Sequence, residues 1–96
     1  MPGWILESHD PELVLRLPAG TIKTVGRAVP ADFIVDATLI SRVHCRLDAG
    51  NQDGLGVEDL GSTNGTLVNG ERVERGLLQT GDILTIGRVA FTVLPG

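Results

Sequence analysis

Short alternations of apolar and polar residues, broken by glycine, proline and small polar side chains, run through the whole chain. Leu13, Leu15 and Leu17 fall on one side of a run that puts Arg16 on the other; a half-buried strand requires that period of two. Val43, Cys45 and Leu47 alternate likewise with His44, Arg46 and Asp48. Further short strands are expected over 4–8, 21–25, 33–35, 55–60, 66–68, 71–73, 77–79, 83–86 and 89–93. Asn69-Gly70 and Gly87-Arg88 read as two-residue hairpin turns, the second suited to type II′ by its leading glycine. No stretch of ten or more residues carries the helical period. The pattern predicts an all-β sandwich of about ten short strands, with Trp4, Leu15, Ile34, Val43, Leu47, Val57, Leu84, Ile86 and Phe91 in its core.

Composition narrows the picture. Ninety-six residues make one domain, expected to span 1–96. No apolar run is long enough to cross a membrane, and Met1-Pro2-Gly3-Trp4 lacks the charged and apolar regions of a signal peptide. The single cysteine, Cys45, excludes an internal disulfide and agrees with a reducing compartment. An intracellular protein is expected, cytoplasmic or, in a eukaryote, nuclear, with no membrane association. Cys45, His9 and His44 are too few and too scattered for zinc, so neither a metal nor a cofactor is expected. A net charge of −4 gives no overall basic field for nucleic acid. The positions of the eight cations therefore say more than their number: Arg42 and Arg46 flank His44, and Arg27 follows Gly26 in a turn.

The stretch Leu60-Gly61-Ser62-Thr63-Asn64-Gly65-Thr66 is the most distinctive. Two glycines and three small polar residues exclude a strand interior or a helix and make a shaped turn. It lacks the lysine of a phosphate-cradling P-loop. Asn64-Gly65-Thr66 also fits the glycosylation sequon, which is idle in a cytosolic protein. Ahead of this turn stand Gly26-Arg27 and Ser41-Arg42-Val43-His44, and behind it Asn69-Gly70. Each lies at a strand end or in a loop, where a sandwich presents side chains to partners. Together they offer guanidiniums, hydroxyls and an amide, a donor-rich set suited to a tetrahedral dianion.

In this order and spacing, the motifs resemble the forkhead-associated (FHA) domain, a phosphothreonine-recognition module, over nearly the whole chain from about Trp4 to Leu94. The resemblance implies a sandwich of eleven short, mostly antiparallel strands with binding loops at one end and the first and last strands adjacent. It implies phosphate contacts from Arg27, Ser41, Arg42 and Thr63, and a hold on the ligand backbone by Asn64. Gly26, His44, Gly65 and Asn69 would support the loops, His44 bracing the one that carries Ser41. The segments 29–32 and 69–75 would select flanking ligand residues. The implied function is non-catalytic recognition of a phosphothreonine-containing protein or peptide in kinase-linked signalling.

Each residue has a plainer role to set beside this. Arg27 is otherwise a surface arginine, Ser41 a turn-stabilising hydroxyl and Cys45 a core thiol; Arg88 is read as surface charge. A scaffold of the same fold could bind through a sheet face or edge without phosphate. A hydrolase is disfavoured, because no nucleophile stands with a base and an orienter, and neither metal ligands nor a G-x-S-x-G elbow is present.

Overall fold

The period-two runs become strands with one buried face. The computed structural model describes residues 3–96; Met1 and Pro2, where the signal-peptide reading begins, lie outside the described residues. Eleven strands are formed: β1 (Trp4–His9), β2 (Glu12–Leu17), β3 (Ile22–Gly26), β4 (Phe33–Ile34), β5 (Cys45–Asp48), β6 (Leu55–Asp59), β7 (Thr66–Val68), β8 (Glu71–Val73), β9 (Arg75–Leu78), β10 (Ile83–Ile86) and β11 (Val89–Pro95). They build a six-stranded sheet in the order β2-β1-β11-β10-β7-β8 and a five-stranded sheet in the order β4-β3-β5-β6-β9. Every pairing is antiparallel except β3 with β4. β1 pairs with β11, Trp4 opposite Pro95, so the first and last strands are neighbours as expected.

The core lies between the sheets. Leu6, Leu15, Leu17, Leu84, Ile86, Phe91 and Val93 enter it from the six-stranded sheet, and Val25, Cys45, Leu47, Leu55, Val57 and Leu78 from the other. Burial of each large aliphatic side chain contributes about 1.5–3 kcal/mol. The Cys45 thiol is pushed up to about 12 by burial and by the nearby Asp59 carboxylate, so it is a core group and not a nucleophile.

Three expected core positions are corrected. Ile34 is 52% exposed, because β4 is a two-residue edge strand whose Phe33 turns toward the core. Val43 is half-buried and lies outside β5, which begins only at Cys45. Trp4 is half-buried, packed on the margin of the core. The side chain that seals this region is instead Ile40, 2% exposed, which anchors the long loop between β4 and β5. Both predicted hairpins form. Asn69 and Gly70 take φ of 50° and 85°, the pair of left-handed residues a type I′ turn needs, and Gly87 alone is left-handed (60°) between Ile86 and Val89.

Gly26 closes β3 against the backbone of the 41–43 segment, where an added Cβ would overlap the Arg42 carbonyl oxygen. Gly26→Ala is therefore expected to cost roughly 2–4 kcal/mol or prevent folding, since a backbone oxygen has little room to yield. At Gly76 a Cβ would meet only Val57 Cγ1, at 4.0 Å, so Gly76→Ala should be near neutral. Thermal melts of the two variants check this; similar melting temperatures would refute it.

Candidate functional site

β3 runs toward one end of the sandwich and β5 starts there, so the loops at 27–32 and 35–44 meet on the rim. Backbone bonds zip them together: the Arg27 N–H donates to the Ser41 carbonyl at 2.9 Å and the Ala28 N–H to that of Arg42 at 3.3 Å. Farther along, Asp32 closes the first loop by accepting from the Thr24 amide and hydroxyl, while its own N–H donates to Thr24 Oγ1. Those bonds, the backbone one foremost, hold the Asp32 carboxyl below its ordinary value.

His44 joins this pair of loops to the turn after β6. The ring is fully buried. Its Nδ1 accepts from the Ser41 N–H at 3.1 Å, so the proton lies on Nε2, which donates to the Gly65 carbonyl at 2.8 Å. His44 sits just before β5, not within a strand. Ser41 Oγ in turn accepts from the Thr63 N–H at 3.1 Å, and Asn64 Nδ2 donates to the Leu39 carbonyl at 2.9 Å. The loop that enters β5 and the turn between β6 and β7 are thus tied at three points.

Asp59, at the end of β6, is the organiser that sequence reading missed. One carboxylate oxygen accepts from the Ser62 and Thr66 hydroxyls, and the other from the Gly61 and Ser62 N–H groups. Ser62 Oγ then accepts from the Gly65 N–H at 2.9 Å. The spacing Asp59-Leu60-Gly61 fits an Asx turn, which was the available signal. Burial opposes the ionisation of Asp59, but these four bonds together outweigh it and hold the carboxyl below its ordinary 3.8.

The rim therefore gathers Arg27, Ser41, Arg42, Thr63 and Asn64, supported by Gly26, His44 and Gly65. Arg27 and Arg42 are exposed and form no ion pair among the described residues. With its acceptor role toward Thr63 filled, Ser41 keeps its hydroxyl proton for another group. Asn64, fixed through one N–H, keeps its oxygen and second N–H free for a backbone amide.

Two residues go elsewhere. Asn69 supports a different loop: at the far end of β7 it donates to Asp82 Oδ1 and accepts from the Ile83 N–H. Arg46 faces outward from β5 and pairs with Glu58, which Arg75 also reaches at 3.5 Å. The Arg46 hydrogen bond and charge hold the Glu58 carboxyl low. A concavity of about 570 Å³ adjoins this trio on the sheet's outer face, between Ile22 and Leu77 and away from the rim. The free donors described above lie at the loops and not in this concavity.

A family model described as "FHA domain" matches residues 23–87, and the chain belongs to the FHA domain family. It is 39% identical over 80 residues to the ABC transporter ATP-binding/permease protein Rv1747 of Mycobacterium tuberculosis, covering 83% of this chain and 9% of that protein. It is 38% identical over 73 residues to the oxoglutarate dehydrogenase inhibitor of Corynebacterium efficiens, covering 76% of this chain and 51% of the relative. The chain thus spans about half the length of that relative and a small part of the transporter's. Among solved structures it resembles one described by phosphothreonine-dependent FHA domain interactions (TM-score 0.85, 29% identity, 96% of this chain and 95% of that one). It also resembles Mycobacterium tuberculosis EmbR in complex with a low-affinity phosphopeptide (TM-score 0.85, 27% identity, 98% of this chain and 24% of that one).

Loss of the Asp59 charge should loosen the whole turn. Asp59→Asn keeps the shape, but its one amide oxygen can accept from only one of the two pairs of donors and its NH2 cannot accept. Bonds to an ionised acceptor, each worth about 1.5–3 kcal/mol where well formed, are therefore lost or weakened. A carboxyl whose folded-state pKa is lowered stabilises fully above its unfolded value and loses that contribution as pH falls through the folded one. The variant is therefore expected to melt lower at pH 7, by an amount that shrinks below about pH 4. Melting curves from pH 7 to 2 measure this, and a constant difference across the range would contradict it.

Proposed function

We propose that this chain is a non-catalytic module that recognises a phosphothreonine-containing protein or peptide. The observation that carries the reading is the rim itself: two guanidiniums that form no ion pair among the described residues, a serine hydroxyl with a proton to give, and an amide held by Leu39. Arg27 and Ser41 are the main phosphate ligands, joined by Arg42 and the Thr63 hydroxyl, and Asn64 holds the ligand backbone. A phosphate dianion presents three acceptor oxygens, and guanidinium forks match it with charge-assisted bonds. The solved FHA structures described by phosphothreonine-dependent interactions and a bound phosphopeptide support the ligand class. The continuous core among the described residues, from Leu6 to Val93, supports a single domain. The bacterial relatives and the single cysteine support a cytoplasmic setting.

The second reading, a phosphate-independent scaffold, draws on the sheet-face trough between Ile22 (57% exposed) and Leu77 (44%). One experiment separates the two: calorimetry of a peptide library in phosphothreonine, phosphoserine and unmodified forms. Phosphothreonine should bind best, unmodified peptide hardly at all. Arg27→Ala should weaken binding roughly ten- to a hundredfold, as expected for a charge-assisted bond of about 1.5–3 kcal/mol. Equal affinity for modified and unmodified peptide would favour the scaffold.

Affinity should also decline as pH falls through about 6, where the phosphate takes up a proton while the arginines keep their charge. Titrations at pH 7.5 and 5 test the sign; tighter binding at pH 5 would count against a dianion ligand.

A further inference from the structure

Four strands lie at sheet edges: β4 with two residues, β8 with three, β9 with four and β2 with six. A free edge offers unpaired N–H and C=O groups to any strand that reaches it. Proteins blunt such edges with brevity, bulges, proline or inward-pointing charge. β2 carries none of these. Its register with β1 is unbroken, Pro11 and Pro18 stand outside it, and the side chains it turns inward are Leu13, Leu15 and Leu17. Glu12, Val14 and Arg16 point outward and are all exposed, Val14 by 46%. Among the described residues the outer edge of β2 pairs with no strand, and neither Glu12 nor Arg16 forms an ion pair.

The order of these residues is self-complementary. In an antiparallel pairing of two copies centred on Val14, Glu12 faces Arg16 of the second copy, Leu13 faces Leu15, and Val14 faces Val14. Alternate residues of a strand turn their N–H and C=O groups to the same side, so a pairing centred on a residue brings free groups to free groups. Two Glu12–Arg16 pairs then form on the outer face, and the half-buried Leu13 gains cover on the core side. Centring on Leu15 instead sets Arg16 against Val14 and Glu12 against Pro18, with no charge pair. A parallel pairing in register sets like charges side by side, which is unfavourable.

We propose that β2 is a self-association surface, where two copies of this chain join edge to edge about Val14 and their six-stranded sheets become one. The partner is a second copy because the edge matches itself in charge, shape and ladder. β11 leaves the rim at the Gly87 turn and β1 runs back toward it, so β2 starts at the rim end. An antiparallel junction therefore turns the two rims to opposite ends of the dimer, where they serve two separate ligands.

The contact is small and the association weak, so sedimentation equilibrium is run across roughly a hundredfold range of protein concentration. The wild type should shift from monomer to dimer. Glu12→Arg and Arg16→Glu should each weaken dimerisation roughly tenfold or more, because both ion pairs become like-charge contacts. Mixed in equal amounts, the two variants should associate about as well as the wild type, since every facing pair is then opposite in sign. Val14→Cys should cross-link two chains on mild oxidation, because facing Cα atoms lie about 4.5–5.5 Å apart, within disulfide reach. Arg16→Cys should not, and the native Cys45 is buried and does not compete. Melting curves show that the variants fold. A wild type that stays monomeric throughout leaves this edge to another partner and overturns the proposal. So does a dimer that the charge reversals leave unchanged, which places the contact on another surface, and so does a failure of the mixed variants to associate.

Discussion

The rim depends on one buried imidazole. His44 stands between the Ser41 amide and the Gly65 carbonyl, with both ring nitrogens used and no surface exposed. The Ser41 loop leads into β5 and the Gly65 turn leaves β6 beside it, with Cys45 opposite Asp59. From there the turn crosses to β7 of the other sheet, so the ladder alone does not set where Gly65 stands relative to Ser41. A buried polar bridge fixes it because its energetics are asymmetric. The bonds contribute about 1 kcal/mol net when made, but a buried partner left unsatisfied costs about 1–3 kcal/mol. Asp59 repeats the device with charge, drawing Gly61, Ser62 and Thr66 around one carboxylate.

These polar ties leave some donors free by consuming others. Ser41 gives its acceptor capacity to Thr63 and Asn64 gives one N–H to Leu39, so what remains on each points to chemistry still unmet. The same division applies to charge. On a chain of net charge −4, Glu58 draws Arg46 and Arg75 onto an outer sheet face, while among the described residues Arg27 and Arg42 form no ion pair at the loops. The free guanidiniums at the rim come from this sorting and not from the overall balance, which is acidic.

The sandwich makes the arrangement possible by stacking two sheets whose loops open at a common end. Ile40 shows how packing serves the site: buried in the core, it pins the loop just before Ser41. It lies against Gly87, where a Cβ would come within 3.0 Å of Ile40 Cγ1. The β10–β11 hairpin, which reads in the sequence as a plain turn, is thus a backstop for the loop.

Much of this was legible in the chain because its causes are local. Period-two alternation placed the strands, and the glycines at 70 and 87 marked turns whose left-handed backbone the structure confirms. The order of Gly26-Arg27, Ser41-Arg42-Val43-His44 and 61–66 identified the family. Tertiary structure alone decided the rest. Alternation carried backward from Leu47 puts Val43 inside and His44 outside, yet His44 and Cys45 are both buried, because the strand begins between them and the chain bends. Asn69 was grouped with the rim by its place in the sequence, but the antiparallel course of β7 carries it to the opposite end, beside Asp82. Arg46 left the His44 neighbourhood for Glu58, and Arg72 came to lie over Gly65, through cross-strand register. The sequence by itself determined the strands, the turns and the supply of donors, since each depends on neighbours in the chain. Which donors meet, and which are already spent, depended on pairings between distant segments that no local pattern encodes.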